Sequence, residues 1–282
     1  MYRRHMIMVS DLFYPKYATL FLPAQGKPKA CLLYFHGGGL LYGDREDLPE
    51  THLQTMTEAG YAILAFDYPL APAAKLPAIT EDLLSSVNYY LQEREHLVGG
   101  TLPYILWGRS AGAYLCLLTA ARPDLPEAPA AVVSYYGYGI LTDGWIDQPC
   151  RYYTALPPIP ESCLLALPAA VHGQGDLETH YSAYIFARQT GAWKSLIYEG
   201  REKYFWLEHT LRTRDSLPCP LFAAHSIQDQ DVPYQEFTGL CLKYHPRRFI
   251  ASAPMHDFDR EDTPLTHRLL EETLEFLAEL PL

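Results

Sequence analysis

No stretch of this 282-residue chain approaches the roughly 18 consecutive apolar residues that a membrane-spanning helix requires. Its opening, MYRRHMIMVSDLFYP, has no apolar run of about seven residues, so a secretory leader is not expected and neither is a membrane partner. Cysteine is sparse. The six residues (31, 116, 150, 163, 219 and 241) form no CxxC pair, which argues against a disulfide framework and for free thiols in a reducing, cytoplasmic setting. Positive charge is short as well: 22 Lys and Arg stand against 33 Asp and Glu, for a net charge of −11. The only dense basic pairs are Arg3-Arg4 and Arg247-Arg248, so a nucleic-acid partner, which needs a basic stripe, is excluded. No HExxH motif or cysteine cluster is present. Asp176, Glu178 and His180 alternate on a loop, a poor pattern for ligation, so neither a metal nor a cofactor is expected.

The chain has what an ordinary core needs, with 49% hydrophobic and 20% charged residues and a length within reach of one large α/β domain. Continuous apolar runs at 29–35, 61–66, 102–107 and 130–135 read as strands buried on both faces, preceded by an early strand at 17–23. Helical patterns fall between them: 46–59, closed by Gly60; 76–95, with Pro77 in its first turn; and 111–121. Strand and helix in alternation predict a mostly parallel sheet covered on both faces. From 137 to about 218 the rhythm breaks into aromatics and prolines with no convincing strand. It resumes with PLFAAH (220–225), RFIAS (248–252) and a helix from Pro264 to Leu280. A single domain is therefore expected, carrying a helical or irregular cap insertion at about 137–218.

Gly108-Arg109-Ser110-Ala111-Gly112 is a G-x-S-x-G pattern set between a buried strand and a helix, the context of a nucleophile elbow. A serine needs a base and an orienting acid to act near neutral pH. His256 follows RFIAS, and Asp229 and Asp231 follow PLFAAH, all on loops past strand ends, where an open α/β sheet places its ligands. His256 is thus the candidate base and Asp229 or Asp231 the acid. A cap on the helix after Pro233 is the alternative role for the second carboxylate. His225 ends its strand, where it either lines the site or packs. His5, His52, His96, His180, His209, His245 and His267 have no partner in a readable motif. For Arg109 an ion pair pointing away from the site, at the surface or behind it, is favoured over binding an acidic substrate group.

Three stretches carry a resemblance: His36-Gly37-Gly38-Gly39, Asp67-Tyr68-Pro69-Leu70-Ala71-Pro72 and the elbow itself. With them the chain resembles the α/β-hydrolases, and within these the esterases related to hormone-sensitive lipase. It departs from that branch at Pro69, where the branch has arginine, and at Arg109, where it has aspartate. The branch's long N-terminal cap is missing, and the resemblance does not extend over the insertion. The resemblance implies Ser110 as nucleophile, His256 as general base and Asp229 as the acid. It also implies an oxyanion hole from the N–H groups of Gly37, Gly38 and Ala111. His36 would then brace the glycine loop, and Asp67-Tyr68 would fix it from behind. Leu40, Leu41, Tyr42 and Tyr136 become candidates for the substrate pocket. A homodimer is implied by family analogy alone.

The expected function is a serine carboxylesterase acting through an acyl-enzyme on a small-molecule ester with a short, perhaps acetyl, acyl group. Two others stay open: an amide-bond hydrolase using the same triad, and a non-catalytic binding protein on the same fold.

Overall fold

The computed structural model describes residues 1–282. Its strands are β1 (Tyr2–Ser10), β2 (Lys16–Pro23), β3 (Cys31–Phe35), β4 (Ala62–Phe66), β5 (Tyr104–Arg109), β6 (Ala131–Tyr135), β7 (Leu221–Ser226) and β8 (Arg247–Ala251). Helices α1 (Glu50–Glu58), α2 (Leu76–Val98) and α3 (Ala111–Ala120) lie between the early strands, and α8 (Tyr234–Tyr244) and α9 (Pro264–Ala278) between and after the late ones. Between β6 and β7 come α4 (Arg151–Thr154), a 3₁₀ turn (Glu161–Ala166), α5 (His180–Thr190), α6 (Trp193–Ile197) and α7 (Glu202–Glu208). None of the helices is long and apolar enough to cross a membrane.

The strands form one sheet in the order β1-β2-β4-β3-β5-β6-β7-β8, in which β2 runs antiparallel to its two neighbours and the later pairs are parallel. The alternation expected of a parallel sheet covered on both faces is present. Period-two side chains separate two cores. Leu33, Leu64 and Leu106 face α2 and α3 through Leu83, Val87 and Leu115, whereas Leu32, Ile63, Ile105 and Trp107 face α1 and α9 through Met56, Leu269 and Leu277. Because both faces are covered, β3 to β7 are buried at every position and read as unbroken apolar runs.

The chain crosses from β4 on one side of β3 to β5 on the other. The loops after β3 and β5 therefore diverge at the carboxyl end of the sheet, leaving a crevice at that switch point.

Three elements differ from the sequence expectation. β1 was not anticipated: most of its residues are exposed, so it is held by antiparallel backbone pairing to β2 rather than by burial. α1 begins at Glu50, since Pro49 takes the position before the helix in an extended conformation. α2 runs on to Val98, where Gly99 (φ 77°) closes it in the left-handed conformation.

The 137–218 segment has helices and no strand. Its entry is pinned by Glu236 of α8, whose buried carboxylate accepts from the N–H groups of Gly139 (3.1 Å), Leu141 (3.0 Å) and Thr142 (2.7 Å) and from the Trp145 indole (3.1 Å). Each donor left unsatisfied costs about 1–3 kcal/mol. Replacing Glu236 with Ala should therefore destabilise the fold by at least about 3 kcal/mol and make residues 139–145 the first site of limited proteolysis. An unchanged urea midpoint and cleavage pattern would contradict this.

Candidate active site

Ser110 stands between β5 and α3 with φ 53° and ψ −118°, a conformation that residues with a Cβ adopt rarely. Its neighbours explain how the turn is accommodated. A Cβ on Gly108 would lie 2.3 Å from the Gly112 carbonyl carbon, and one on Gly112 would lie 2.0 Å from the Phe35 oxygen at the end of β3. Only glycine at both positions lets strand and helix close this tightly around the serine. The Ser110 N–H is tied to the Tyr135 carbonyl of β6 at 2.9 Å, and its hydroxyl stands at the N-terminus of α3.

The loops after β7 and β8 bring two further side chains to Ser110. His256 Nε2 lies 2.7 Å from Ser110 Oγ, and its Nδ1 lies 2.7 Å from Asp229 Oδ2. Asp229 Oδ1 accepts from the N–H groups of Asp231 (2.8 Å) and Val232 (3.0 Å), so both carboxylate oxygens are engaged. Asp231 does not reach His256. Nor does it cap α8, whose first turn has no side-chain cap. Its carboxylate turns to Tyr153, Tyr184 and Arg188. His225 is fully buried and places Nε2 3.3 Å from Asp229 Oδ2 and 3.2 Å from the Val232 carbonyl, so it packs behind the acid rather than lining the site.

Opposite the elbow, the N–H groups of Gly37, Gly38 and Gly39 donate to no acceptor in the protein, and that of Ala111, the first residue of α3, has no acceptor within the helix. The loop is braced from behind. Tyr68 donates to the carbonyls of His36 and Gly37, both at 3.0 Å, and its ring stacks on His36 with 4.1 Å between centroids. His36 Nδ1 sits 2.9 Å from the Gly37 oxygen. Asp67 pairs with Arg45 at 2.5 Å, so neither residue of Asp67-Tyr68 faces Ser110.

Gly37, Gly38, Ser110 and His256 open onto a cavity of about 570 Å³. Tyr42 and Tyr136 line it, but Leu40 and Leu41 do not. Both leucines are fully buried in the core. The loop curls so that the N–H groups of Leu41 and Tyr42 both donate to the Gly38 carbonyl, and Leu40 takes φ 66°. That turn carries residues 40 and 41 inward and returns only Tyr42 to the surface of the cavity.

The walls combine aromatic rings with carboxylates: tyrosines 152, 153, 181 and 184 from the 137–218 segment line the cavity together with Asp44 and Asp47 from the loop after β3. Tyr152 and Tyr153 stand out in the sequence only as part of the segment's aromatic content, and Asp44, Asp47, Tyr181 and Tyr184 not at all, because contacts such as Tyr184 with Asp231, 47 residues on, leave no mark in local spacing.

Arg109 is not at the surface. It is 1% exposed and runs beneath the site, donating to Tyr136 Oη (2.6 Å) and Asp259 Oδ1 (2.9 Å). Asp259 also takes Tyr136 Oη at 2.7 Å and His52 Nε2 at 2.8 Å. Burial raises the Asp259 carboxyl, but Arg109 and His52 together outweigh it and hold the group far below the usual range. The Tyr136 ring, fixed by this network, packs edge-on against His256 with centroids 4.7 Å apart.

A family model described as the alpha/beta hydrolase fold matches residues 32–198, which is more than half of the chain. The chain belongs to the α/β-hydrolase fold family. Two solved α/β structures superpose over 99% of it and 100% of themselves. One is a Staphylococcus aureus subsp. aureus Mu50 protein of unknown function (TM-score 0.83, 23% identity), and the other an alpha/beta hydrolase superfamily protein of Enterococcus faecalis (TM-score 0.81, 24% identity). A hyperthermophilic esterase from Pyrobaculum calidifontis shares the fold at TM-score 0.68 and 18% identity, covering 97% of this chain and 82% of that one. Among curated proteins, Lipase 2 of Moraxella sp. (strain TA144) is 30% identical over 112 residues, which is 36% of this chain and 26% of that protein. A non-reducing polyketide synthase of Penicillium brasilianum is 28% identical over 156 residues, only 6% of its length. This α/β-hydrolase chain thus spans at most about a quarter of those curated relatives.

Electrostatics set the protonation of the site. Burial alone would lower the His256 pKa, but the Asp229 carboxylate, with Asp231 and Asp257 beyond it, outweighs burial and lifts it to about 9. Burial conversely raises the Asp229 carboxyl, but His256 and the loop amides hold it below its ordinary value. A raised histidine is protonated below its pKa, so the free base becomes available as pH rises. Titration of the His256 ring by NMR should accordingly give a midpoint well above the ordinary 6.5 and near about 9, and any activity that needs the neutral ring should climb over the same interval. A midpoint at or below 6.5 would show that the carboxylates do not govern the ring.

Proposed function

We propose that this protein is a serine carboxylesterase acting on small esters with short acyl chains. The observation that carries the proposal is the pair of 2.7 Å contacts linking Ser110 Oγ to His256 Nε2 and His256 Nδ1 to Asp229 Oδ2. In this scheme His256 accepts the Ser110 proton as Oγ attacks the ester carbonyl, and Asp229 holds the ring with Nε2 toward the serine. Negative charge then develops on the carbonyl oxygen. The unengaged N–H groups of Gly37 and Gly38, with that of Ala111, are the donors assigned to it, each worth about 10²–10³-fold in rate. His256 returns the proton to the leaving alcohol, and a water activated by the same ring releases the acyl group from Ser110.

The short acyl chain follows from the walls. Glycine, tyrosine and aspartate dominate around Ser110, and the leucines at 40 and 41 are turned away. A long acyl chain recovers about 0.8 kcal/mol per methylene against aliphatic surface, of which the lining holds only Leu177 and Met255; the rest of its apolar surface is tyrosine ring, each with a polar hydroxyl. The esterase and lipase named among the relatives lend this chemistry general support.

Ser110→Ala should abolish hydrolysis of p-nitrophenyl acetate and labelling by a fluorophosphonate probe, and Asp229→Asn should lower kcat by up to about 10⁴-fold. Across acetyl, butyryl and octanoyl esters kcat/KM should fall with chain length. Full turnover by Ser110→Ala would sink the mechanism. A maximum at octanoyl would sink the short-chain assignment alone, and faster cleavage of N-formyl or peptide amides than of esters would move the activity to amide hydrolysis.

A further inference from the structure

Asp231 lies two residues beyond Asp229 without touching His256, and it is 7% exposed. Its carboxylate accepts from Tyr184 Oη (2.7 Å), Tyr153 Oη (2.9 Å) and Arg188 Nε (3.1 Å). Arg188, 2% exposed, also donates from Nη2 to the Asp231 carbonyl (2.8 Å) and from Nη1 to the Trp145 carbonyl (3.0 Å). The guanidinium therefore holds Asp231 by side chain and backbone together. On its other side the Asp231 N–H donates to Asp229 Oδ1 at 2.8 Å. A continuous path of short polar contacts thus runs Arg188–Asp231–Asp229–His256–Ser110.

All three donors to the Asp231 carboxylate come from α4 and α5, between β6 and β7. The same region grips the opposite side of the site. The Tyr184 ring covers Gly39 so closely that a Cβ there would fall 2.1 Å from it, and Trp193 Nε1 donates to the Gly39 carbonyl at 2.8 Å. α5 is in contact with both loops that face each other across Ser110. A buried Arg–carboxylate pair is weak evidence for stability, because desolvation offsets most of its attraction. Its two-point hold, Nε on the carboxylate and Nη2 on the backbone carbonyl of the same residue, does fix position.

We infer that Arg188 is a positioning residue, which acts through Asp231 to hold the Asp229 carboxylate against His256 and so makes the 137–218 segment a working part of the site. The inference rests on the esterase proposal for its kinetic consequence, but the alignment of Asp229 and His256 can be read without turnover. Charged and titratable groups face the imidazole from several elements. Asp229 and Asp231 come from the loop after β7, Asp257 with Arg260 from its own loop, Arg109 and Asp259 stand behind Tyr136, and Asp44 and Asp47 lie across the cavity.

The test compares Arg188→Met, Arg188→Lys, Asp231→Asn and Lys194→Met in the full chain. Lys194 pairs with Asp147 and Glu202 inside the same segment, away from Asp229, and serves as the control for a general loss of structure. For p-nitrophenyl acetate, Arg188→Met should lower kcat by about 10²-fold, as expected for a misplaced catalytic group, with KM changed less than about threefold. Arg188→Lys should recover part of that loss, and Lys194→Met should keep kcat within about twofold.

Asp231→Asn keeps the side chain's shape and removes its charge, so the midpoint of the pH–rate limb should move down by about half a unit or more. Proton NMR of the deshielded His256 Nδ1–H supplies the reading that needs no substrate. That resonance should be present in the wild type and weakened or exchange-broadened in Arg188→Met. Wild-type kcat and an unaltered Nδ1–H resonance in Arg188→Met, or an unmoved midpoint in Asp231→Asn, would overturn the inference. Absence of any ester turnover by the wild type, with the resonance still lost in Arg188→Met, would overturn the esterase proposal and uphold the positioning role.

Discussion

Ser110 is held in a backbone conformation that a residue with a side chain avoids, and the rest of the site depends on that constraint being met. It is met sterically. β5 and α3 meet without a spacer because Gly108 and Gly112 leave room for one another and for the end of β3. Within this turn the strained backbone is that of Ser110, while the sheet behind it is buried throughout, so the surrounding core over-determines the turn. Having β3 and β5 as neighbours adds the second requirement, since the glycine loop after β3 then faces the serine across the crevice.

Around this rigid centre the polar groups are arranged in pairs rather than left single. Arg109 meets Asp259, Arg45 meets Asp67, Arg188 meets Asp231 and Arg260 meets Asp257. A lone buried charge of either sign would be costly, whereas paired and hydrogen-bonded charges are tolerated and confer orientation. One asymmetry remains, the carboxylates grouped near His256. They favour the imidazolium, so the ring that is suited to be a base also stabilises positive charge well.

What was legible in the sequence follows from how far each feature reaches along the chain. The buried strands and the elbow depend on contiguous residues, so Leu102–Trp107, the turn and Ala111–Ala121 could be recognised together. Asp229 and Asp231 could not be separated from spacing alone. The difference between them lies in which carboxylate meets His256 and which meets Arg188, contacts spanning 27 and 43 residues. Arg109 illustrates the same limit: its ion pair away from the site was legible, but that it lies behind the site and not at the surface depends on Asp259, 150 residues away. Leu40 and Leu41 were misplaced because the curl that buries them is a property of the loop's backbone, not of their apolar character. β1 escaped notice since a mostly exposed edge strand leaves little periodic signal.

The anchoring of the 137–218 segment bears on modularity. Segments inserted between strands are often treated as interchangeable cassettes that can be swapped among relatives to alter substrate choice. Here the joints are distributed over the host: Glu236 on α8, Asp231 beside the acid, and Gly39 in the loop after β3 each receive a side chain or backbone group from the insert. A transplant that carried the insert alone would arrive with its arginine, tyrosines and tryptophan and find no matching sockets. The unit that can be moved between scaffolds is the insert together with those three recipient positions.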